Sequence, residues 1–349
     1  MIPENNIISV MAQNNKQLTT PVLFIIFRRP DTTQMVFNEI RKVKPKVLFV
    51  RADGPRKDRN GEAKLCKKTR DIVGNIDWEC EVHYNFSETN LGCKVAVSSG
   101  IDWFFENVEE GIILEDDCLP CQSFFWFCQE LLEKYRDDER IMQISGSNYL
   151  FGKTIGNASY YFSRLNDVWG WATWKRAWRF YDINMKSFPV FKQQKQIDNY
   201  FDNKRISRWA MSYFEEDFKM ANSSCGIWSS QWSYAMCAQN GLTIAPNVNL
   251  VSNIGINEEA THSKRSFRLY ADVKSYEIEQ IIHPEFILPN READEIRFRV
   301  IYKTDPRLRP MTKLKKDLRV LLKKFLLLLD PEKKTIFRAL KKVATNYRQ

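Results

Sequence analysis

The stretch Gly111–Cys118, GIILEDDC, decides the fold. Three buried-type residues, Ile112, Ile113 and Leu114, run straight into three consecutive carboxylates, Glu115, Asp116 and Asp117. An apolar run of that length after a glycine suits a strand covered on both faces, and the acids then fall where the strand leaves its sheet. Carboxylates that close repel one another and call for a positive partner, for which a divalent cation on hard oxygen ligands is suited. A solvated loop after the strand is the competing reading of the same triplet.

Outward from this stretch the chain alternates between strand and helix patterns. PVLFIIF from Pro21 reads as a strand, RRPDTTQ leads into a helical pattern at Met35–Ile40, and KVLFV at Lys46–Val50 reads as a second strand ending on Arg51, Ala52, Asp53, Gly54 and Pro55. A helical segment at Lys64–Val73, a strand at Trp78–Tyr84, the loop SETNLGC and a helix from Lys94 to Glu106 bring the chain to GIILEDD. This order predicts an open, mainly parallel α/β sheet flanked by helices. Ligands of such sheets bind beyond the carboxyl ends of the strands, where Arg29, Asp53 and the acidic triplet gather. Neither GxGxxG nor GxxxxGK[ST] occurs, which sets aside a dinucleotide fingerprint and a P-loop.

Composition narrows the function classes. With 349 residues, 44% of them apolar, the chain can bury a large core. Its net charge of +10 is concentrated at one end, because Met311–Gln349 holds twelve Lys/Arg against three Asp/Glu and the remainder is nearly neutral. That distribution argues against a nucleic-acid-binding face. Leu314, Leu318, Leu321, Leu322, Phe325 and Leu329 recur at helical spacing among lysines and arginines, and a second basic helix carries Ile336, Phe337, Leu340 and Val343. A basic amphipathic extension of this kind suits an anionic membrane surface, or packing on the body or a partner chain. The eight cysteines and a start without a basic-then-apolar leader point to reduced thiols in a cytoplasmic setting, and the basic extension would allow a peripheral place on the inner face of the membrane. The Cys118–Cys121 CxxC has no second pair and reads as two ordinary thiols.

Several segments resemble, in order, the metal-dependent nucleotide-sugar glycosyltransferases of the GT-A fold, especially the N-acetylglucosaminyltransferase I group and its bacterial nucleotide-diphospho-sugar relatives. They are LFIIFRRPDTTQ (Leu23–Gln34), VRADGPR (Val50–Arg56), NLGCKVAVSSGIDWFF (Asn90–Phe105), GIILEDDCLPCQSFFWFCQELLEKY (Gly111–Tyr135), SGSNY (Ser145–Tyr149) and DVWGWATWKRAW (Asp167–Trp178). The resemblance runs on to Ser263 and covers about 240 residues. It implies a nucleotide-sugar donor, with a UDP-hexosamine as the first guess, and a glycan or lipid-linked acceptor in envelope or surface polysaccharide synthesis. It also implies Mn²⁺ or Mg²⁺, which would neutralise the diphosphate as it leaves. Residue by residue, Asp117 would bind the metal, Asp116 the ribose and Glu115 the donor sugar. Asp53 would face the nucleobase and Arg29 the nucleotide, with Asn90, Gly92 and Lys94 lining the far side. For Asp53 in DGP a plain turn serves as well. His262 in ATHS falls where such enzymes add a late metal ligand, and a surface histidine fits the same place.

The implied organisation is a polar leader (1–19), a nucleotide-sugar half (20–150), an acceptor half (151–265), a connecting segment (266–310) and the basic tail (311–349). Seven of the ten tryptophans fall between Tyr149 and Ser263, which suits stacking on sugars, although most tryptophans pack a core. Gly170 and Trp171 in GWATW are the best candidates there to touch donor or acceptor. An inverting transfer needs a carboxylate base. The position where relatives carry it holds Gln231, which cannot take a proton. The nearby acids Glu215, Glu216 and Asp217 are the substitutes, retention would remove the need, and a carbohydrate-binding protein without turnover, or a sugar nucleotidyltransferase, are the alternatives in other classes.

Overall fold

The computed structural model describes residues 7–9, 16–220, 226–255 and 273–304. The elements in order are β1 (Ile7–Ser9), β2 (Val22–Ile26), α1 (Pro30–Val43), β3 (Val47–Ala52), α2 (Glu62–Val73), β4 (Glu81–Phe86), α3 (Gly92–Asn107) and β5 (Glu110–Glu115). Then come β6 (Cys118–Pro120), α4 (Gln122–Lys134), β7 (Ile141–Ser145), β8 (Tyr160–Ser163), β9 (Trp171–Trp174) and the short helices α5 (Lys175–Trp178), α6 (Phe188–Gln193) and α7 (Ile197–Tyr200). The last are α8 (Lys204–Lys219), α9 (Ser229–Ala238), β10 (Leu242–Pro246), β11 (Val251–Asn253), β12 (Gln280–Ile282) and α10 (Arg291–Thr304). Met1–Phe298 forms one compact unit and Arg299–Gln349 a second. The first unit takes in both expected halves; the expected leader supplies β1, which pairs with β12.

Eight strands form the central sheet in the order β4-β3-β2-β5-β9-β7-β10-β8. Six run the same way, while β9 enters antiparallel between β5 and β7 and β8 closes the edge antiparallel. The sheet is thus the mainly parallel α/β sheet that the alternation predicts, with one reversal in its middle. From β2 the chain steps outward through β3 and β4, then returns across β2 to begin β5 on the other side. Strand order reverses between β2 and β5, the point at which such sheets set a crevice at the carboxyl ends of their strands.

Burial on both faces explains the apolar runs. In β2, Val22, Phe24 and Ile26 pack with Val36, Phe37 and Ile40 of α1 on one face, while Leu23 and Ile25 join Val97, Ile101 and Phe104 of α3 on the other. In β5, Ile112 and Leu114 belong to the α1 side and Ile113 to the α3 side. Such two-sided burial leaves no room for polar alternation, so charge can appear only where β5 ends. The predicted α1 pattern begins earlier than its apolar residues show, because Pro30 suits a first helical turn. Strand β4 is displaced to Glu81–Phe86 and carries no fully buried residue, as befits an edge.

A backbone approach fixes Gly111 at the start of this strand. A Cβ there would overlap Phe104 Cζ and lie 2.8 Å from the carbonyl oxygen of Pro21. Gly111→Ala should therefore lower stability by about 1–3 kcal/mol, read as a shift in the urea midpoint at unchanged slope.

Candidate active site

The acidic triplet lies at the mouth of the β2/β5 crevice. Glu115 is the last residue of β5, Asp116 and Asp117 form the turn that follows, and Cys118 begins β6. Strand β6 pairs with β11 in a separate antiparallel ribbon, and Ile254 N donates to Asp117 O at 2.9 Å. Asp116 is 6% exposed and its Oδ2 accepts from Phe27 N at 3.0 Å, just past the end of β2. Arg29 reaches across the crevice: its Nη1 is 2.5 Å from Asp117 Oδ2 and 3.5 Å from Asp116 Oδ1. The structure thus places a side-chain cation among the acids.

The electrostatics follow from this crowding. Burial first, then the charges of Asp117 and Asp116, push Glu115 up to about 8. Burial and Asp117 push Asp116 up to about 7. Burial works against the Arg29 charge, and Asp117 and Asp116 more than offset it, so its pKa rises. One guanidinium does not neutralise three carboxylates. Among the described residues no three His, Cys, Asp or Glu side chains form a ready-made metal shell. The donor set fits a cation held by one or two carboxylates and completed by phosphate oxygens, as Mg²⁺ commonly is. His262 lies outside the described residues. Cys118 and Cys121 are buried free thiols.

Asp53 has another task. Its Oδ1 accepts from Gly54 N and Leu91 N, both at 2.9 Å, and its Oδ2 from Asn90 Nδ2 at 2.8 Å and Gly92 N at 3.2 Å. It ties the end of β3 to the start of α3, with Asn90 also donating to Gly54 O at 2.9 Å. Sequence spacing could not show this, because the two segments lie more than thirty residues apart. Arg70, which belongs to no sequence motif, braces the same corner by donating to Asp53 O at 3.1 Å and Ser87 O at 2.6 Å.

The first turn of α3 borders two charged groups. Cys93 feels Glu115, Asp117, Asp53 and Arg29, whereas its neighbour Lys94, 2% exposed, feels Asp217 on α8. Burial lowers the Lys94 pKa and Asp217 opposes that shift. Asp217 is 6% exposed, whereas Glu216 faces solvent and Glu215 pairs with Lys192 at 3.0 Å. Of the three candidate acids only Asp217 is buried. Gln231 is buried on α9, and with its amide exchanged its nitrogen donates to Trp228 O at 3.0 Å and Ile227 O at 2.8 Å.

Gly170 and Trp171 serve packing. Gly170 has φ +66°, its oxygen accepts from Gly146 N at 2.8 Å, and a Cβ would sit 2.7 Å from Val251 Cγ2. Trp171 is 1% exposed and stacks on Trp228 at 5.8 Å, against Trp232 at 5.7 Å. Trp174, Trp178, Trp228 and Trp232 are buried as well, so five of the seven clustered tryptophans are core. A covered ring offers no face to a sugar. Asp167, just before this motif, pairs with Arg297 of α10 at 2.6 Å, a partner no local spacing announces.

No protein-family model and no curated protein matches the chain. Among solved structures the chain is similar to a UDP-glucose pyrophosphorylase complexed with UDP-glucose, at 14% identity over 43% of this chain and 64% of that one, TM-score 0.25. It spans just under two thirds of that enzyme. HddC from Yersinia pseudotuberculosis follows at 8% identity, 45% and 78% coverage and TM-score 0.27. Mouse xyloside xylosyltransferase 1, apo form, follows at 9% identity, 62% and 81% coverage and TM-score 0.29. None of these three is named as an N-acetylglucosaminyltransferase. Superpositions this loose carry no chemistry, and the site stands on its own residues.

The shifted acids make stability depend on pH. Glu115 and Asp116 titrate near 8 and 7 in the folded chain, above the ~4 of an unfolded carboxyl. The folded chain therefore holds more protons across that interval, and the contribution of these groups to stability is lost as pH rises from about 4 through about 8. Asp117→Asn removes one repelling charge. Its Tm relative to wild type should therefore rise steadily between about pH 5 and pH 8.5, and a flat difference would contradict the coupling.

Proposed function

We propose that the chain is a metal-dependent glycosyltransferase acting on a nucleotide-diphosphate sugar. The observation that supports it most is the convergence of Glu115, Asp116, Asp117 and Arg29 on the crevice where strand order reverses. In this reading Asp117, with Asp116 beside it, holds a divalent cation, and that cation would neutralise the departing diphosphate. Arg29 offers its planar fork to the same phosphates. Glu115, on the α3 side of β5, faces the donor sugar, and Asp53 acts by fixing the Leu91–Gly92 amides that border the nucleotide. Asp217 takes the proton of the acceptor hydroxyl, and buried Lys94 keeps that carboxylate charged until it does so.

A UDP-hexosamine donor, a glycan or lipid-linked acceptor and an inverting outcome belong to this proposal, as does membership of the N-acetylglucosaminyltransferase I group. No helix among the described residues is long and apolar enough to cross a membrane. The basic tail from Met311, which lies outside the described residues, is proposed to hold the enzyme on an anionic surface. Vesicles containing phosphatidylserine should sediment the full chain but not a chain ending at Pro310, and the binding should weaken with salt.

Nucleotide sugars offered with Mn²⁺ and a glycan acceptor mixture test the reaction. Release of a nucleoside diphosphate supports transfer, whereas formation of pyrophosphate would indicate a nucleotidyltransferase and protection without turnover a binding protein. Asp117→Ala should abolish cation-dependent UDP binding. Asp217→Asn should lower kcat by roughly 10²–10⁴ while leaving donor affinity unchanged. A variant with normal kcat would remove Asp217 as the base.

A further inference from the structure

Asp117 Oδ2 already has a cation. Arg29 Nη1 sits 2.5 Å from it, and the same nitrogen is 3.5 Å from Asp116 Oδ1. Arg29 is the residue just before the first turn of α1, so its backbone is fixed by the helix while its guanidinium spans the crevice to the β5 side. A guanidinium and a divalent ion repel one another when both lie against one carboxylate, so the charge of Arg29 at Asp117 Oδ2 weakens the hold of that carboxylate on a metal. The partners differ in freedom. Asp116 Oδ2 is held by Phe27 N, whereas the Arg29 and Asp117 side chains keep 32% and 18% of their surface open.

We propose that Arg29 is an internal cation that competes with the divalent metal for Asp117, and that an incoming diphosphate draws it away. This rests on the metal-dependent reading above and adds a rule of assembly to it. The diphosphate presents paired oxygens that match the guanidinium fork and brings charge that needs a second cation. Arg29 then moves from carboxylate to phosphate, and Asp117 is released to the metal. Each ligand removes an obstacle to the other, so metal and nucleotide must raise one another's affinity by the same factor. A carboxylate cluster without the arginine would take up metal unaided.

Mn²⁺ titration of the full chain, followed by electron paramagnetic resonance of the free ion and corrected for Mn²⁺ bound to UDP in solution, tests this. Wild type should bind Mn²⁺ alone weakly and at least about tenfold more tightly with UDP, a difference of about 1.4 kcal/mol. Arg29→Gln should bind Mn²⁺ alone at least about tenfold more tightly than wild type, with a smaller gain from UDP than wild type shows, because the phosphate oxygens still complete the shell. Arg29→Lys, which keeps the charge but not the fork, should fall between and serves if the glutamine variant folds poorly. The proposal is overturned if Arg29→Gln binds Mn²⁺ alone no better than wild type, or if wild type binds Mn²⁺ equally with and without UDP while UDP is bound. If wild type takes up no UDP but Arg29→Gln still gains Mn²⁺, the competition is upheld and the nucleotide reading fails.

Discussion

Pairing of β2 with β5 at the point where strand order reverses is the constraint on which the rest depends. The register Ile25↔Glu115 sets the end of β5 level with the end of β2. Asp116 can then take the amide of Phe27, and Arg29 can span the gap to Asp117. A carboxylate on an isolated turn would be screened by water; here burial of Glu115 and Asp116 weakens that screening, and the mutual repulsion of the three acids persists. The fold thus stores an unfavourable charge arrangement at its rim and supports it with two buried faces of aliphatic and aromatic side chains. Natural cores carry such local conflict where chemistry is done.

Much of this was legible in the sequence because the signals were local. Two-sided burial writes itself as uninterrupted runs such as VLFII and GIIL, and a run that ends in EDD announces both the strand and the rim. What stayed hidden depends on partners far along the chain. Nothing in WATW says that β9 runs antiparallel between β5 and β7, since a short buried strand has the same composition in either direction. Arg297 with Asp167, and Arg70 with the corner at Asp53, are likewise visible only once the chain has folded.

The assignments that changed meaning did so for one physical reason. Asp53, Gly170 and Trp171 are residue types equally suited to a ligand and to the interior: an acid accepts amides at a helix start, a glycine admits a neighbouring valine, an indole packs on other indoles. Composition cannot separate the two uses. Burial and contacts show the structural work that all three do, while the side chains of Arg29 and Asp117 keep 32% and 18% of their surface open. Of the three acids on α8, Asp217 alone is buried, and its charge is felt at Lys94 of α3.

Asp117 stands at a seam, with β5 of the main sheet before it and β6 of the small ribbon after it. The ribbon's other strand, β11, follows more than a hundred residues later, and the backbone at Ile254–Gly255 presses directly on the acid. Side-chain changes along Val251–Gly255 therefore act on the carboxylate at one remove. They offer a lineage, or an engineer, a dial for retuning the rim while every charged group in it keeps its identity.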